Sequence, residues 1–289
     1  MKVAIIGGSG KMGRWFARFL MKEGKEVVLI GRSQARLEEA KRQLNVKIST
    51  SIEAIKNADV VLVSVPIDHF EEVIEQLSPY THSSQIILDI TSLKVFPVKA
   101  MHRHIKEGLV LGTHPVFGPG ARSIANHNFI LTPTNQEEST LADKIKSYLE
   151  TRKAKVHLMT PQEHDNMMAV ILGLAHYIAI VSADTLINFE RLKEMEAIGG
   201  ITYKVLLTLV ESVISEDPEF YASLQMNLPH LPEIQRRFHK SCQDWTELVE
   251  HKDRQEFATR MEAIRHKLEI SNPDFGKAYD NMYKIAEGL

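Results

Sequence analysis

A single cysteine, Cys242, among 289 residues excludes an internal disulfide framework and suits a reducing cytosol. No Cys/His spacing of the metal-binding kind occurs, so no metal site is expected. An excess of one charge is also lacking. The 35 Lys and Arg stand against 37 Asp and Glu, a formal net charge of −2, with no global bias toward nucleic acid or an anionic membrane. No uninterrupted apolar run approaches the roughly 20 residues of a membrane span. The first strand-like segment begins at Lys2 and leaves no room for a secretory signal. Internal repeats and low-complexity tracts are absent. These absences predict a cytoplasmic protein of one or two domains, acting on a small molecule and not on nucleic acid or membrane.

What is present begins at residue 1. Residues 3–6 form a short apolar run of strand type. Gly7-Gly8-Ser9-Gly10-Lys11-Met12-Gly13 follows, and then Trp15, Phe16, Phe19 and Leu20 recur at helical spacing. Gly8, Gly10 and Gly13 carry the G-x-G-x-x-G spacing between a strand and a helix, the context that dinucleotide binding requires. Gly8 is expected to make the tight turn, Gly10 to let the backbone approach a pyrophosphate, and Gly13 to let the helix lie close on the sheet. The segment from Gly8 through Ser9, Lys11 and Met12 to Gly13 then meets the phosphates with unpaired N–H groups and a positive dipole end.

Further on, strand patterns at 26–30, 46–49, 58–66, 85–89, 109–112, 129–132 and 155–158 alternate with helical patterns at 34–44, about 70–77, about 96–106 and 136–151, with a turn of helix at 51–56. Alternation of this kind predicts an α/β fold with a Rossmann-type, doubly wound, mostly parallel sheet. The pattern changes at Pro161. Thr160, Pro161 and Glu163 make a helix start with a capping box. Only helical segments follow, near 161–188, 191–214, 218–225, 232–250, 253–269 and 273–287. The expected division is therefore a dinucleotide-binding domain over 1–159 and an all-helical domain over 160–289.

At the end of the second strand an acidic residue binds the ribose 2′-OH of NAD. Here the sequence reads Ile30-Gly31-Arg32-Ser33, without a carboxylate. Arg32 and Ser33, with Arg36 nearby, suit a 2′-phosphate, which favours NADP over NAD. Val65-Pro66 ends another strand at the edge where ligands bind.

Two stretches carry the chemistry. Asp89-Ile90-Thr91-Ser92-Leu93-Lys94 lies just past one strand, and Gly112-Thr113-His114-Pro115-Val116-Phe117-Gly118-Pro119-Gly120 just past the next. Pro115 biases His114 to an extended backbone and so helps set where its imidazole points. Gly118 and Gly120 allow a close loop near a ligand. An imidazole beside a nicotinamide can take the proton of a substrate hydroxyl as hydride leaves the carbon. Most of the 13 histidines are read as exposed, and His114 is set apart by its position.

With these residues in hand the chain resembles the prephenate/arogenate dehydrogenase family over nearly its whole length. The shared motifs are the glycine turn, D-I-T-S-L-K (89–94), T-H-P-V-F-G-P (113–119), E-H-D (163–165), G-L-A-H-Y (173–177) and D-P-E-F-Y-A-S-L-Q-M (217–226). The resemblance implies that His114 polarises the ring hydroxyl, that Ser92 hydrogen-bonds beside it, and that His176 of the helical domain helps bind substrate. It implies oxidative decarboxylation: hydride passes to NAD(P)+, CO2 leaves and the ring aromatises. The family commonly carries an Arg where this chain has Ser212, so Lys204, with Arg122 and Gly118 from the His114 loop, is expected to hold the substrate. Asp165 and His176, eleven residues apart, fall on nearly one face of a uniform helix. His164 does not, and is read as structural or exposed. Residues 231–267 alternate charged and apolar positions, and in the family such helices build a homodimer.

Alternatives stay open. Another NADP-linked reductase with a helical second domain, such as a β-hydroxyacid dehydrogenase or an imine or pyrroline reductase, is one. The helix from Pro161 offers His176 and no Lys, which argues against the hydroxyacid class. A nucleotide-sensing protein without turnover is another, and it would need no positioned histidine.

Overall fold

A computed structural model describes residues 1–288. Eight strands form one sheet: β1 Lys2–Ile6, β2 Glu26–Ile30, β3 Lys47–Ser49, β4 Val60–Val63, β5 Ile86–Asp89, β6 Leu109–Val116, β7 Asn128–Thr132 and β8 Lys155–Leu158. Their order is β3-β2-β1-β4-β5-β6-β7-β8, with every neighbouring pair parallel except β6 and β7. The order reverses between β1 and β4, which makes the crevice at their carboxyl ends the ligand position of such a sheet.

The strands are apolar on both faces because helices cover both. In β1, Val3 and Ile5 enter one core layer with Trp15, Phe16, Leu29 and Leu131, and Ala4 and Ile6 enter the other with Phe70, Ile74 and Met101. Each fully buried Leu, Ile or Phe side chain contributes about 1.5–3 kcal/mol. The helices that supply these layers are α1 Lys11–Lys22, α2 Gln34–Leu44, α3 Phe70–Leu77, α4 Val95–His104 and α5 Gln136–Glu150. Local signals start them. Ser33 Oγ accepts from Arg36 N–H at 3.4 Å, and Asn135 Oδ1 accepts from Glu138 N–H at 2.9 Å.

Strand β6 differs from the sequence expectation. It does not stop at 112 but runs on through His114 and Pro115 to Val116, pairing antiparallel with β7. Strand β5 ends at Asp89, opposite Gly112, so beyond that point β6 is paired on one side only. A half-paired strand tolerates the N–H that Pro115 lacks. His114 is thus held on a rigid strand and not on a loop.

The capping box forms as read from the sequence. Thr160 N–H and Oγ–H both donate to Glu163 Oε2 at 2.8 Å, and Glu163 N–H returns to Thr160 Oγ1 at 3.2 Å. It opens a long helix made of α6 Pro161–Met168, a π-helical segment Ala169–Leu174, and α7 Ala175–Leu186. The chain divides within it. One compact unit is Met1–Met168 with Met226–Leu228, and the other comprises Ala169–Gln225 and the chain from Pro229 onward. The first two turns of the helix therefore pack with the sheet, nine residues past the boundary read at 159. Among the described residues, this helix, Pro161–Leu186, is also long and apolar enough to cross a membrane by length and composition. The sequence reading missed it by counting only unbroken apolar runs, which His176 and Tyr177 interrupt.

The second unit is helical: α8 Leu192–Ile198, α9 Ile201–Ile214, α10 Pro218–Asn227 (its last two residues with the first unit), α11 Leu231–Glu250, α12 Arg254–Ser271 and α13 Ala278–Glu287. Gly199-Gly200 splits the single helix expected over 191–214 in two. None of the residues of α12 is buried, and Phe257, Met261, Ile264 and Leu268 make an exposed apolar stripe at helical spacing.

Candidate functional site

The glycine turn joins β1 to α1. Its tight bend belongs to Gly7, with φ +74°, and not to Gly8 as expected. A Cβ on Gly7 would collide with the Ser64 carbonyl at the end of β4. Gly8 is required for a different reason: a Cβ there would lie 2.8 Å from Ile5 O and from the Leu29 side chain. At Gly13 a Cβ would stand 2.7 Å from Gly7 O and Gly8 Cα, so the helix closes directly on the turn. Gly10 is less crowded by the chain, with only Gly7 O at 3.2 Å, and its freedom is left for a close ligand. Helix α1 starts at Gly10 with no side-chain cap and no acidic residue in its first turn. Exposed N–H groups and an uncompensated dipole end suit a pyrophosphate. Ser9 is buried, Met12 half-buried and Lys11 exposed along this turn. The residues present thus fit a dinucleotide.

Gly7 yields a test. Gly7→Ala forces a left-handed backbone angle on a residue with a Cβ and drives that atom into a backbone carbonyl, strain of about 1–3 kcal/mol. Dinucleotide affinity in a fluorescence titration should fall at least about tenfold, and an unchanged affinity would show that the turn does not hold the ligand.

Around the crevice, Val65 is half-buried and Pro66 exposed just past β4, and Val65 Cγ1 faces the Gly7 turn. Past β2, Arg32 and Ser33 are exposed, and Ser33 also caps α2. Ser9 Oγ lies 3.5 Å from the Cβ position of Gly31. The described residues Ile30 to Ser33 at this strand end include no carboxylate.

The ends of β5 and β6 hold a buried polar cluster. Lys94 is 0% exposed, and its Nζ donates to Asp89 Oδ1, to Thr113 O at 2.6 Å and to Thr91 Oγ1 at 3.3 Å. Three acceptors match the three protons of an ammonium. Burial pushes the Lys94 pKa down, while the Asp89 and Asp165 carboxylates pull it back up. Asp89 in turn accepts from Thr91 N–H at 2.9 Å and Thr113 N–H at 3.3 Å. The sequence reading took Ser92 from this stretch and passed over Asp89 and Lys94. Ser92 itself is half-buried, and its hydroxyl is engaged by no group among the described residues.

His114 is 4% exposed on β6. Its Nδ1 lies 2.8 Å from His164 Nε2, and His164 Nδ1 lies 2.7 Å from Asp165 Oδ1. His114 Nε2 has no partner among the described residues and is not among the sealed-in polar atoms. Burial holds the His114 pKa well below the usual imidazole range, with the charges of His164 and Lys94 adding to the effect. Burial lowers His164 too, against the pull of Asp165. A neutral imidazole with one open nitrogen is a base at neutral pH.

His164 corrects the sequence reading. It is fully buried and bonded to the imidazole of interest, neither merely structural nor exposed. Asp165 accepts from Lys94 N–H at 2.7 Å and Val95 N–H at 2.9 Å, and so caps α4 from another helix. Only a uniform α-helix would set Asp165 and His176 on one face. The π-helical segment between them changes the turn, and the two residues belong to different compact units.

The remaining expected residues lie apart from any such network. The loop that follows β6 is tied down by Trp15, whose Nε1–H donates to Ala121 O at 2.6 Å and whose ring meets Phe117 at 4.9 Å. Arg122 is exposed on that loop, and a Cβ on Gly118 or Gly120 would meet nothing, so protein packing does not demand glycine at either. In the helical unit, the His176 ring meets Tyr221 edge-on at 4.9 Å, its Nδ1 is buried without a partner, and burial lowers its pKa. Lys204 Nζ reaches Ala286 O at 3.4 Å, and Ser212 is exposed with its hydroxyl donating back to Leu209 O at 2.8 Å.

Comparison with known proteins gives matches over both units. The family model described as the nucleotide-binding domain of prephenate dehydrogenase matches residues 16–158, and that of its dimerization domain matches residues 160–263. A probable arogenate/prephenate dehydrogenase of Methanocaldococcus jannaschii is 35% identical over 272 residues, covering 92% of this chain and 61% of the relative. The T-protein of Haemophilus influenzae is 28% identical, covering 91% and 66%. The chain thus spans under two thirds of the length of these relatives. Among solved structures, a prephenate dehydrogenase from A. aeolicus in complex with hydroxyphenyl propionate and NAD+ superposes with a TM-score of 0.75 at 22% identity, covering 94% of this chain and 98% of that one.

Proposed function

Because the chain belongs to the prephenate dehydrogenase family, we propose that it carries out the oxidative decarboxylation of prephenate to 4-hydroxyphenylpyruvate, in tyrosine biosynthesis, with NADP+ preferred to NAD+. The observation that carries this reading is His114: a buried, neutral imidazole fixed through Nδ1, with Nε2 alone left to meet a substrate.

A bound nicotinamide dinucleotide supplies the hydride acceptor. Gly7, Gly8, Gly10 and Gly13 with the first turn of α1 hold its pyrophosphate, and Arg32 and Ser33 meet a 2′-phosphate. His114 Nε2 accepts the proton of the ring hydroxyl as the carbon beneath it loses hydride. Ser92 donates a hydrogen bond to the same oxygen. The ring carboxylate then leaves as CO2, its bonding pair enters the ring, and the oxygen takes the proton back from His114 as the ring aromatises. The chain need only orient substrate, exclude water and hold one proton. Arg122 and Gly118 in the sheet unit, and His176 and Lys204 in the helical unit, are the residues proposed for substrate binding, each on its own unit.

Ser212 favours a second substrate, arogenate. Where the family commonly has a guanidinium fork, this chain presents a hydroxyl turned back on its own helix. Lys204 is a point charge and selects less by geometry. The exposed stripe of α12 and the match to a dimerization domain support a homodimer through the helical unit.

Absorbance at the reduced-nicotinamide band, with prephenate and arogenate each paired with NAD+ and NADP+, tests substrate, cofactor and activity together. Prephenate with NADP+ is expected to give the highest kcat/KM. A higher value with arogenate reassigns the substrate, and no reduction in any pairing removes the dehydrogenase reading.

A further inference from the structure

The hydrogen bonds beyond His114 run in one direction. We propose that Asp165 and His164 are positioning residues that fix the tautomer of His114, so that the open nitrogen Nε2 is the unprotonated one. This rests on the reading of His114 as the base. Asp165 Oδ1 and Oδ2 already accept from the backbone N–H groups of Lys94 and Val95, so this carboxylate has no proton to give. The proton between it and His164 therefore sits on His164 Nδ1. That leaves a lone pair on His164 Nε2, which in turn requires the proton to sit on His114 Nδ1. With Nδ1 protonated, neutral His114 presents a lone pair at Nε2. The opposite tautomer would put lone pair against lone pair at the His114–His164 contact and leave no base facing the substrate.

The same chain acts during the reaction. When Nε2 takes the hydroxyl proton, His114 becomes a cation whose Nδ1–H still donates to His164, and the proton is held at His114 until the oxygen reclaims it. The charged or titratable groups that face the two rings are Asp165 on α6, Asp89 at the end of β5 and Lys94 at the start of α4. Asp165 also ties the first turn of α4, next to Ser92, to the helix that carries His164. One carboxylate thereby aligns a helix start and an imidazole.

Because Asp165 caps α4, its removal would mix folding with tautomer control, and His164 is the cleaner position. His164→Leu removes the acceptor at Nε2. His164→Gln restores an amide oxygen able to accept from His114 Nδ1–H. We expect kcat of His164→Leu to fall about 10²-fold, with KM for substrate and coenzyme within about threefold and the folded circular-dichroism spectrum retained. His164→Gln should recover to within about tenfold of the parent.

Long-range 1H–15N spectra of the unliganded protein read the tautomer directly and need no substrate. His114 should show a protonated Nδ1 and a bare Nε2 at pH 7.5, and His164→Leu a mixture of both tautomers. The proposal is overturned by a protonated Nε2 in the parent, or by parental kcat and an unchanged tautomer in His164→Leu. If no dicarboxylic substrate is turned over while the parent spectrum is as expected, the dehydrogenase reading fails and the tautomer assignment stands.

Discussion

Replacing His114 with Asn should lower kcat by about 10²- to 10⁴-fold, the range for a lost acid–base group, while dinucleotide affinity stays within about threefold. The choice of Asn is deliberate. Its amide nitrogen falls near the place of Nδ1 and can still donate to His164 Nε2, so the buried bond at 2.8 Å keeps a counterpart. Nothing then occupies the place of Nε2. Packing and the glycine turn are left alone, because the turn belongs to β1 and α1 and the substitution to β6. Calorimetric titration of the dinucleotide and steady-state kinetics separate the two effects. A near-parental kcat would remove His114 from the chemistry and leave only a nucleotide-binding fold.

The pH profile supplies an independent reading. The imidazole works only when neutral, so activity is lost as pH falls through its pKa. Burial holds that pKa well below 6.5, and the acidic limb of kcat should therefore lie below that value and not near it. A limb at or above 6.5 would mean that bound substrate, or some other group, sets the titration.

Much of this arrangement was legible in the residues. A strand, a glycine spacing and an amphipathic helix in immediate succession have few other meanings, and the alternation up to residue 158 dictated the sheet. The capping box at Thr160 likewise named its own partners. What escaped was whatever depends on two segments meeting. Which glycine takes the positive φ depends on Ser64, a residue 57 positions away from Gly7 across the β1–β4 pairing. The length of β6 depends on a partner, β7, that arrives only after the loop over 117–127. His164 was misjudged because a fixed angle per residue was carried through a segment that winds as a π-helix. A signal was available: an adjacent His and Asp near the start of a capped helix, directly after a strand of the same sheet. Lys94 was passed over because a charged residue in a short loop is ordinarily solvated, and only the fold shows three acceptors closing around it.

That enclosure makes Lys94 the second severe position. Lys94→Met preserves length and volume but leaves the Asp89 carboxylate buried at 0% exposure without its cation. Breaking a buried pair from one side costs about 3–5 kcal/mol, because the remaining charge keeps its desolvation penalty. Three donors persist around Asp89, from Thr91 N–H, Thr91 Oγ1–H and Thr113 N–H, and they place the expected loss toward the lower end of that range. Urea unfolding followed at the tryptophan of α1 should report it in the transition of the sheet unit. The pair, and not the lysine alone, sets the effect, so Asp89→Asn combined with Lys94→Met should recover most of the stability. A single variant as stable as the parent would mean that the ammonium is not charged in the folded state. The same substitution carries a second signature. The Lys94 charge is one of the causes that lower His114, so its removal raises that pKa and moves the acidic limb of kcat to higher pH. A cation placed for packing alone would alter the first measurement and leave the second where it was.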